Sequence, residues 1–339
     1  MPINPSINYQ QVLSMALEDR GPGRQDLVSN QIALLAVLQR KGMWKPYSGP
    51  RIRQTLQIAK PTGQWYSGYD FLDNPPTELF NDAYYTPKMV AVPISLTMEE
   101  ILNNSGEAEI EDVLTSYMDA AEQALKETIE TGLYSDGTAN NGKQLTGLAA
   151  AVPIITNSGT YGGIDRGAYA LWRTSTFDAN SAFPTIGTQV TPTTIRPMLT
   201  QIFLQRSRGQ QSADLLLMSN EHYAAYDAAL VAQQRIVKEG SLGKLGFQSI
   251  EYVGAGRSVE VVMAGGFNSA MPANTTFGLN TDTLRMRYNP NRNMDKLFKG
   301  DGQMPINQDA IAQFLGFMGE LTMTNPLFNW RFYDSNPAA

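Results

Sequence analysis

The chain contains no cysteine and one histidine, His222, among 339 residues. The first absence removes disulfides, thiolate nucleophiles and Cys-ligated metals. The second removes His-rich metal sites and most imidazole acid–base schemes. Charge is scarce as well: Asp, Glu, Lys and Arg make up 17%, against about 25% in ordinary soluble domains. Long apolar runs are missing, the clean run Ile32–Leu38 holding seven residues where a bilayer crossing takes about 20. The opening MPINPSINYQQ lacks the basic-then-apolar order of a secretory signal. No membrane contact, metal or cofactor is expected, and an enzyme would have to work with carboxylates, Lys, Ser or Tyr.

What is present is enough apolar residue, 42%, for a sizeable core in about two domains. Charge is unevenly placed. Residues 1–60 carry eight Lys/Arg against three Asp/Glu, residues 61–136 two against fifteen, and the rest bring the total to −6. A basic segment ahead of an acidic one favours contact with an anionic partner or with the acidic region of a neighbouring copy. Two ordinary solvated faces would explain it equally.

Periodicity divides the chain further. A helix is predicted over Arg24–Lys41, stopped by Gly42, after an extended arm with Pro2, Pro5 and Pro22. Arg51–Lys60 alternates with Ile52, Leu56 and Ile58 on one parity, as a half-covered strand does. Gln64–Leu72 and Tyr84–Thr97 read as further strands, with Pro87 and Pro93 better placed at a sheet edge than at its centre. This β excursion has little evident core of its own. Asn104, Ser105 and Glu107 then resemble a capping box, opening a helix with Ile110, Val113, Leu114, Tyr117, Met118, Ala121, Ala124, Leu125 and Ile129 at helical spacing. Past Leu148 the pattern is α/β: a strand-like Ala149–Ile155, a polar loop to Thr191, a helix with Ile195, Met198, Leu199, Ile202 and Phe203, and a short buried strand ending at Met218. A helix from Asn220, strands at Ser258–Gly265 and Phe277–Pro290, and a strand-like aromatic tail follow.

Several motifs invite chemistry. Gly137, Gly142 and Lys143 nearly spell a phosphate-binding loop, but Gln144 stands where a hydroxyl should, a helix precedes, and an apolar run follows. Gly254-Ala255-Gly256 lacks the third glycine of a dinucleotide fingerprint, Val259 holding its place, and reads as a turn. His222 just inside a helix start reads as a surface or capping residue. Glu99 with Glu100, and Glu111 with Asp112, are sequence neighbours that point apart on a helix. Trp65, Tyr66, Tyr69 and Phe71 form an aromatic cluster suited to a protein interface. A stacking platform for single-stranded nucleic acid is the rival, with few basic residues beside it.

The order of parts resembles the major capsid proteins of tailed bacteriophages. In that family a long helix runs into an Asp-Gly turn and a Gly-Leu pair, which Asp136-Gly137-Thr138 and Thr146-Gly147-Leu148 resemble. Leu215–Ala228 is similar to the family's strand, Asn, helix passage. The resemblance implies the α+β, Hong Kong 97-like capsid fold. It implies an N-terminal arm over 1–45, an extended E-loop β-hairpin over 46–97, and a first part of the P-domain over 98–148 with a spine helix at about 107–132. An A-domain follows over 149–257. Residues 258–339 would be returning P-domain strands and the C-terminal segment, part of it rejoining the A-domain.

It further implies a non-enzymatic structural protein of the virion, made in the host bacterial cytoplasm. The protein would self-assemble as hexamers and pentamers into an icosahedral shell enclosing double-stranded DNA. Partners would be a separate scaffolding protein, a portal and a cement or decoration protein. Candidate inter-subunit contacts are Trp65, Tyr66, Tyr69 and Phe71. Some relatives link a loop Lys to a neighbour's Asn; nothing in the sequence assigns Lys60 or Lys88 that role. An encapsulin-type bacterial nanocompartment shell is the alternative within the fold class. A nucleotide-binding enzyme using Gly137–Lys143 is the alternative outside it.

Overall fold

The computed structural model describes residues 33–57, 59–72, 79–97, 99, 107–231, 249–266, 269–297 and 310–337. Residues 1–32 of the expected 1–45 arm, with the start of the expected helix Arg24–Lys41, lie outside these, as do Ile58, the Asn104–Ser105 cap, Glu100 and the side chains of Glu107–Ser116. Helix α1 (Ala33–Arg40) buries Leu34, Leu35 and Leu38. Gly42, at φ +67°, ends it. The Gly42 and Met43 amides return to the Gln39 and Leu38 carbonyls at 2.9 and 2.7 Å, a Schellman stop that satisfies the last open acceptors.

The strands are β1 (Trp44–Pro46), β2 (Ile52–Gln57), β3 (Phe80–Tyr85) and β4 (Lys88–Thr97). Helix α2 (Glu107–Tyr134) follows, then the helical turn α3 (Leu148–Ala151), β5 (Thr160–Tyr161), β6 (Ile164–Asp165), β7 (Ser175–Asp178) and α4 (Ala179–Ala182). Next come α5 (Ile195–Gln205), β8 (Leu215–Met218), α6 (Asn220–Val231), β9 (Ser249–Gly254) and β10 (Arg257–Met263). The chain closes with β11 (Thr275–Leu279), β12 (Leu284–Lys296), β13 (Ala310–Met323) and β14 (Trp330–Tyr333).

Two sheets organise the molecule. One has the order β1-β12-β13-β4, the other β7-β14-β11-β8-β10-β9. Pro93 sits in β4 at the edge of the first, opposite Phe314, where its missing N–H costs no ladder bond. Strand β8 is buried on both faces. Leu215 and Leu217 join the core under α2, and Leu216 and Met218 join the core under α5, so its sequence is continuously apolar rather than alternating. On α5 the expected set Ile195, Met198, Leu199, Ile202 and Phe203 is fully buried. The 28-residue α2 is a rod of about 42 Å at 1.5 Å per residue. Its buried line runs through Met118, Ala121, Leu125, Ile129 and Leu133.

Several expectations are corrected. Tyr117, counted on the apolar stripe, is exposed. Tyr84–Thr97 is not one strand: β3 and β4 enter different sheets on either side of Pro87. Phe277–Pro290 likewise divides into β11 and β12 around a 3-10 turn at Thr281–Thr283. Gln64–Leu72 is not a strand, and Ala149–Ile155 begins inside a helical turn. The polar loop before Thr191 contains β7, an edge strand parallel to β14. A division at 257/258 falls inside the β9–β10 hairpin, whose two-residue turn Ala255-Gly256 takes φ +52° and +72°. Strands β10, β11 and β14 all lie in the six-stranded sheet.

Candidate assembly surface

Strands β2 and β3 pair antiparallel, Ile52 opposite Tyr85 and Gln57 opposite Phe80. Period-two alternation sends Ile52, Leu56, Ala83 and Tyr85 inward, all buried in the core under α2. The base of the hairpin therefore has a core after all. The Tyr85 hydroxyl donates to the Met323 carbonyl at 3.0 Å, the Tyr84 amide to that of Gly162 at 2.8 Å. The outer face carries exposed Phe80 and Tyr84, which sequence reasoning did not nominate although their parity opposite Ala83 and Tyr85 marked them. Between them Asp82 accepts from the Thr55 hydroxyl and the Arg53 guanidinium, each at 2.7 Å. These bonds hold its carboxyl below the usual range.

Beyond Gln57 the support ends. Trp65, Tyr69 and Phe71 stand fully in solvent, and Tyr66 is 67% exposed. All four nominated aromatics are thus exposed in the segment between β2 and β3. That segment is ordered by a turn: the Ser67 amide donates to the Asp70 carboxylate at 2.8 Å, and the Asp70 amide to the Ser67 carbonyl at 3.2 Å. An aromatic surface this open is costly in water.

The segment Gly132–Leu148 joins α2 to the rest and lacks the form of a phosphate loop. Its donors are spent internally: Gly142 N–H on Thr138, Lys143 N–H on Asn140 and Gly147 N–H on Ser135 carbonyls. The Gly137 amide takes the Ser135 hydroxyl, and the Thr138 amide the Asp136 carboxylate. Asn140 and Asn141 are left-handed, at φ +54° and +57°, so no regular helix N-terminus opens toward Lys143. Lys143→Ala is accordingly expected to leave binding of a fluorescent ATP analogue unchanged, and neither protein should bind at millimolar nucleotide.

The basic residues that the structure describes at the end of α1 are used within the chain. Arg40 grips Glu260 at 2.6 and 3.3 Å, and Lys41 pairs with Asp214, which also accepts from Thr281. Two other titratable groups were misjudged or missed. His222 is not a surface cap. It is buried, its Nδ1 2.8 Å from the Thr276 hydroxyl and its Nε2 without a partner among the described residues. Burial pushes it down to about 4, against the opposing Asp334 and Glu221 carboxylates. Glu320, near the C-terminal end of β13, is buried too, with Oε1 accepting the Thr146 amide at 2.9 Å and Oε2 without a partner among the described residues. Burial pushes its carboxyl up to about 8, against the bonds from Thr146 and the Lys88 ammonium. An acid inside the strand GFMGELTM was the signal for it. Among the described residues no three acidic or His side chains gather as metal ligands, and no helix is long and apolar enough to cross a membrane.

No protein-family model matches the chain, and no curated protein sequence matches it. Solved structures do. One is the cyanophage A-1(L) capsid asymmetric unit, at 18% identity over 88% of this chain and 92% of that one, TM-score 0.64. The capsid of a native GTA particle matches at 9% identity over 88% and 90%, TM-score 0.56. A structure of Gordonia phage Cozz matches at 13% identity over 88% and 86%, TM-score 0.51. The chain has the α+β, Hong Kong 97-like fold of tailed-phage capsid proteins.

Proposed function

We propose that the protein is the major capsid protein of a tailed bacteriophage, a structural, non-enzymatic subunit of the virion made in the host bacterial cytoplasm. It assembles as hexamers and pentamers into an icosahedral shell around double-stranded DNA. The observation that supports this most is the likeness to a phage capsid asymmetric unit along 88% of the chain. Scaffolding, portal and decoration proteins would be its partners. Trp65, Tyr66, Tyr69 and Phe71 would contact a neighbouring copy, which supplies the apolar cover that their own chain does not.

Sedimentation and negative-stain microscopy of the purified protein test it: closed particles are expected, and a strictly monomeric protein would refute it. DNA inside the native particle, rather than an enzyme cargo, separates it from a nanocompartment shell. The double variant Trp65→Ala, Tyr69→Ala is expected to change subunit unfolding by less than about 0.5 kcal/mol, as exposed sites do. Each aromatic ring buried at a contact contributes about 1.5–3 kcal/mol. The concentration needed for assembly should therefore rise at least tenfold, since about 1.4 kcal/mol is one decade.

A further inference from the structure

Strand β12 carries Arg285 and Arg287 at alternate positions, on the face opposite the buried Leu284 and Met286. Lys45 of β1 stands directly beside Arg287 in the parallel register. Neighbouring strands lie about 4.8 Å apart and alternate residues about 6.7 Å, so the three cations form one compact row. Lys45 is exposed and both arginines are half-buried. Among the described residues none of the three pairs with an acid. The Arg285 Nε is buried without a partner there, and an Arg287 Nη donates to the Pro46 carbonyl at 3.5 Å. The acid beside Arg287 in the β12–β13 register is Glu320, whose carboxyl turns to the Thr146 amide. Raised to about 8, it is mostly uncharged at pH 7. Burial, and then the neighbouring Arg285, push the Arg287 guanidinium below its usual range. Like charges side by side on a sheet are destabilising, and an anion laid over them removes that cost. We infer that this face binds the phosphate backbone of double-stranded nucleic acid. That the nucleic acid is the DNA within a shell rests on the capsid reading; the row of cations does not.

Three observations favour phosphate over a protein carboxylate. Two of the cations are Arg, whose rigid fork matches a phosphate with two hydrogen bonds. Charge density decides between the anions at hand. Duplex DNA carries one charge per about 1.7 Å of axis, so roughly four phosphates pass over a row of about 6.7 Å. The acidic stretch Glu107–Glu122 of a second copy holds six acids in 16 residues. At 1.5 Å per residue that is one acid per about 4 Å, spread around the helix. The net charge of −6 does not forbid binding, because physiological salt screens charges beyond about 8 Å and leaves the local row in control.

Fluorescence anisotropy of the unassembled subunit with a labelled DNA duplex tests the site. Three neutralised phosphates give log Kobs against log salt a slope of about −2.7, so raising NaCl from about 50 to 200 mM should weaken binding about 40-fold. Lys45→Gln should bring the slope to about −1.8, and the double variant Arg285→Gln, Arg287→Gln to about −0.9. Lys45→Gln, at an exposed position, carries the test even where the double variant fails to fold. AT-rich and GC-rich duplexes should bind alike, since backbone contacts read no sequence. A wild-type slope near zero, or variants that bind as the wild type does, would overturn the site; closed particles would still form and the capsid reading would stand. A protein that binds duplex through these residues and never closes into particles would overturn the capsid reading and keep the site. The cysteine-free sequence allows a benzophenone to be attached at Lys45→Cys in DNA-filled particles. Illumination should link the chain to DNA, and chain-to-chain links in its place would put a second copy over this face and overturn the proposal.

Discussion

Gly147→Ala is expected to destabilise the subunit by about 3 kcal/mol or more, the upper range of overpacking in a closed site. A Cβ at 147 would lie 2.2 Å from the Leu133 carbonyl oxygen and 2.4 Å from that of Gly132. Both are backbone atoms at the last turn of α2, so no rotamer change relieves the clash. The chain must part from the helix end, and two bonds go with it: Gly147 N–H to the Ser135 carbonyl at 3.1 Å and Thr146 N–H to Glu320 at 2.9 Å. Gly142→Ala provides the contrast. Gly142 has φ +73° but open space around its would-be Cβ, so only the backbone preference is lost, about 1 kcal/mol. Urea unfolding of the unassembled subunits measures both. Equal losses at the two positions would refute the close-approach account.

Glu320→Gln should remove a loss of stability that the wild type shows on the alkaline side. The folded-state carboxyl titrates near 8 against an ordinary 4.5, so its folded pKa is raised. Its contribution is whole below about pH 4.5 and declines as pH climbs from there through 8. Converted at about 1.4 kcal/mol per pH unit, the decline is on the order of 5 kcal/mol. His222 has the opposite sign. With its folded value depressed to about 4 from 6.5, its contribution is whole above about pH 6.5 and is lost as pH falls toward 4, on the order of 3 kcal/mol. The two slopes cancel between about 4.5 and 6.5, so wild-type stability should form a plateau there and fall on either side. In Glu320→Gln the alkaline limb flattens, and the plateau gives way to a fall from about 6.5 toward 4, because the His222 slope is no longer offset. Unfolding midpoints from pH 4 to 9 check this; an unchanged alkaline limb in the variant would show that Glu320 is not its source.

Much of the fold was legible because local periodicity and core face coincide. The α5 set at 195, 198, 199, 202 and 203 is a helix face in sequence and in space. The 28 residues of α2 needed little beyond their 3.6-residue repeat. The parity of Ile52 and Leu56 fixed which face of β2 is covered. The four aromatics at 65–71 were nominated from residue type, and all four are exposed. Lone residues were harder. His222 looked like a cap because Asn220 and Glu221 precede it. Burial was decided by Thr276 and Phe332, which arrive from strands more than fifty residues away.

Chain order and composition by themselves determined the class of architecture: a β excursion, a long helix, then an α/β body, with no thiol and hardly any imidazole. Local sequence carries that much because helical and extended repeats are properties of neighbouring residues. Only the tertiary structure decided which strands share a sheet. Strand β4 pairs with β13 and β1 with β12, partners separated by more than two hundred residues, and no local pattern encodes that register. It likewise decided that Arg40 and Lys41 turn inward, that Glu320 is sealed beneath Thr146, and that Lys45 stands beside Arg287. Each of these depends on groups brought together by long-range packing, whose burial, charge and shape exist only once the sheets have closed.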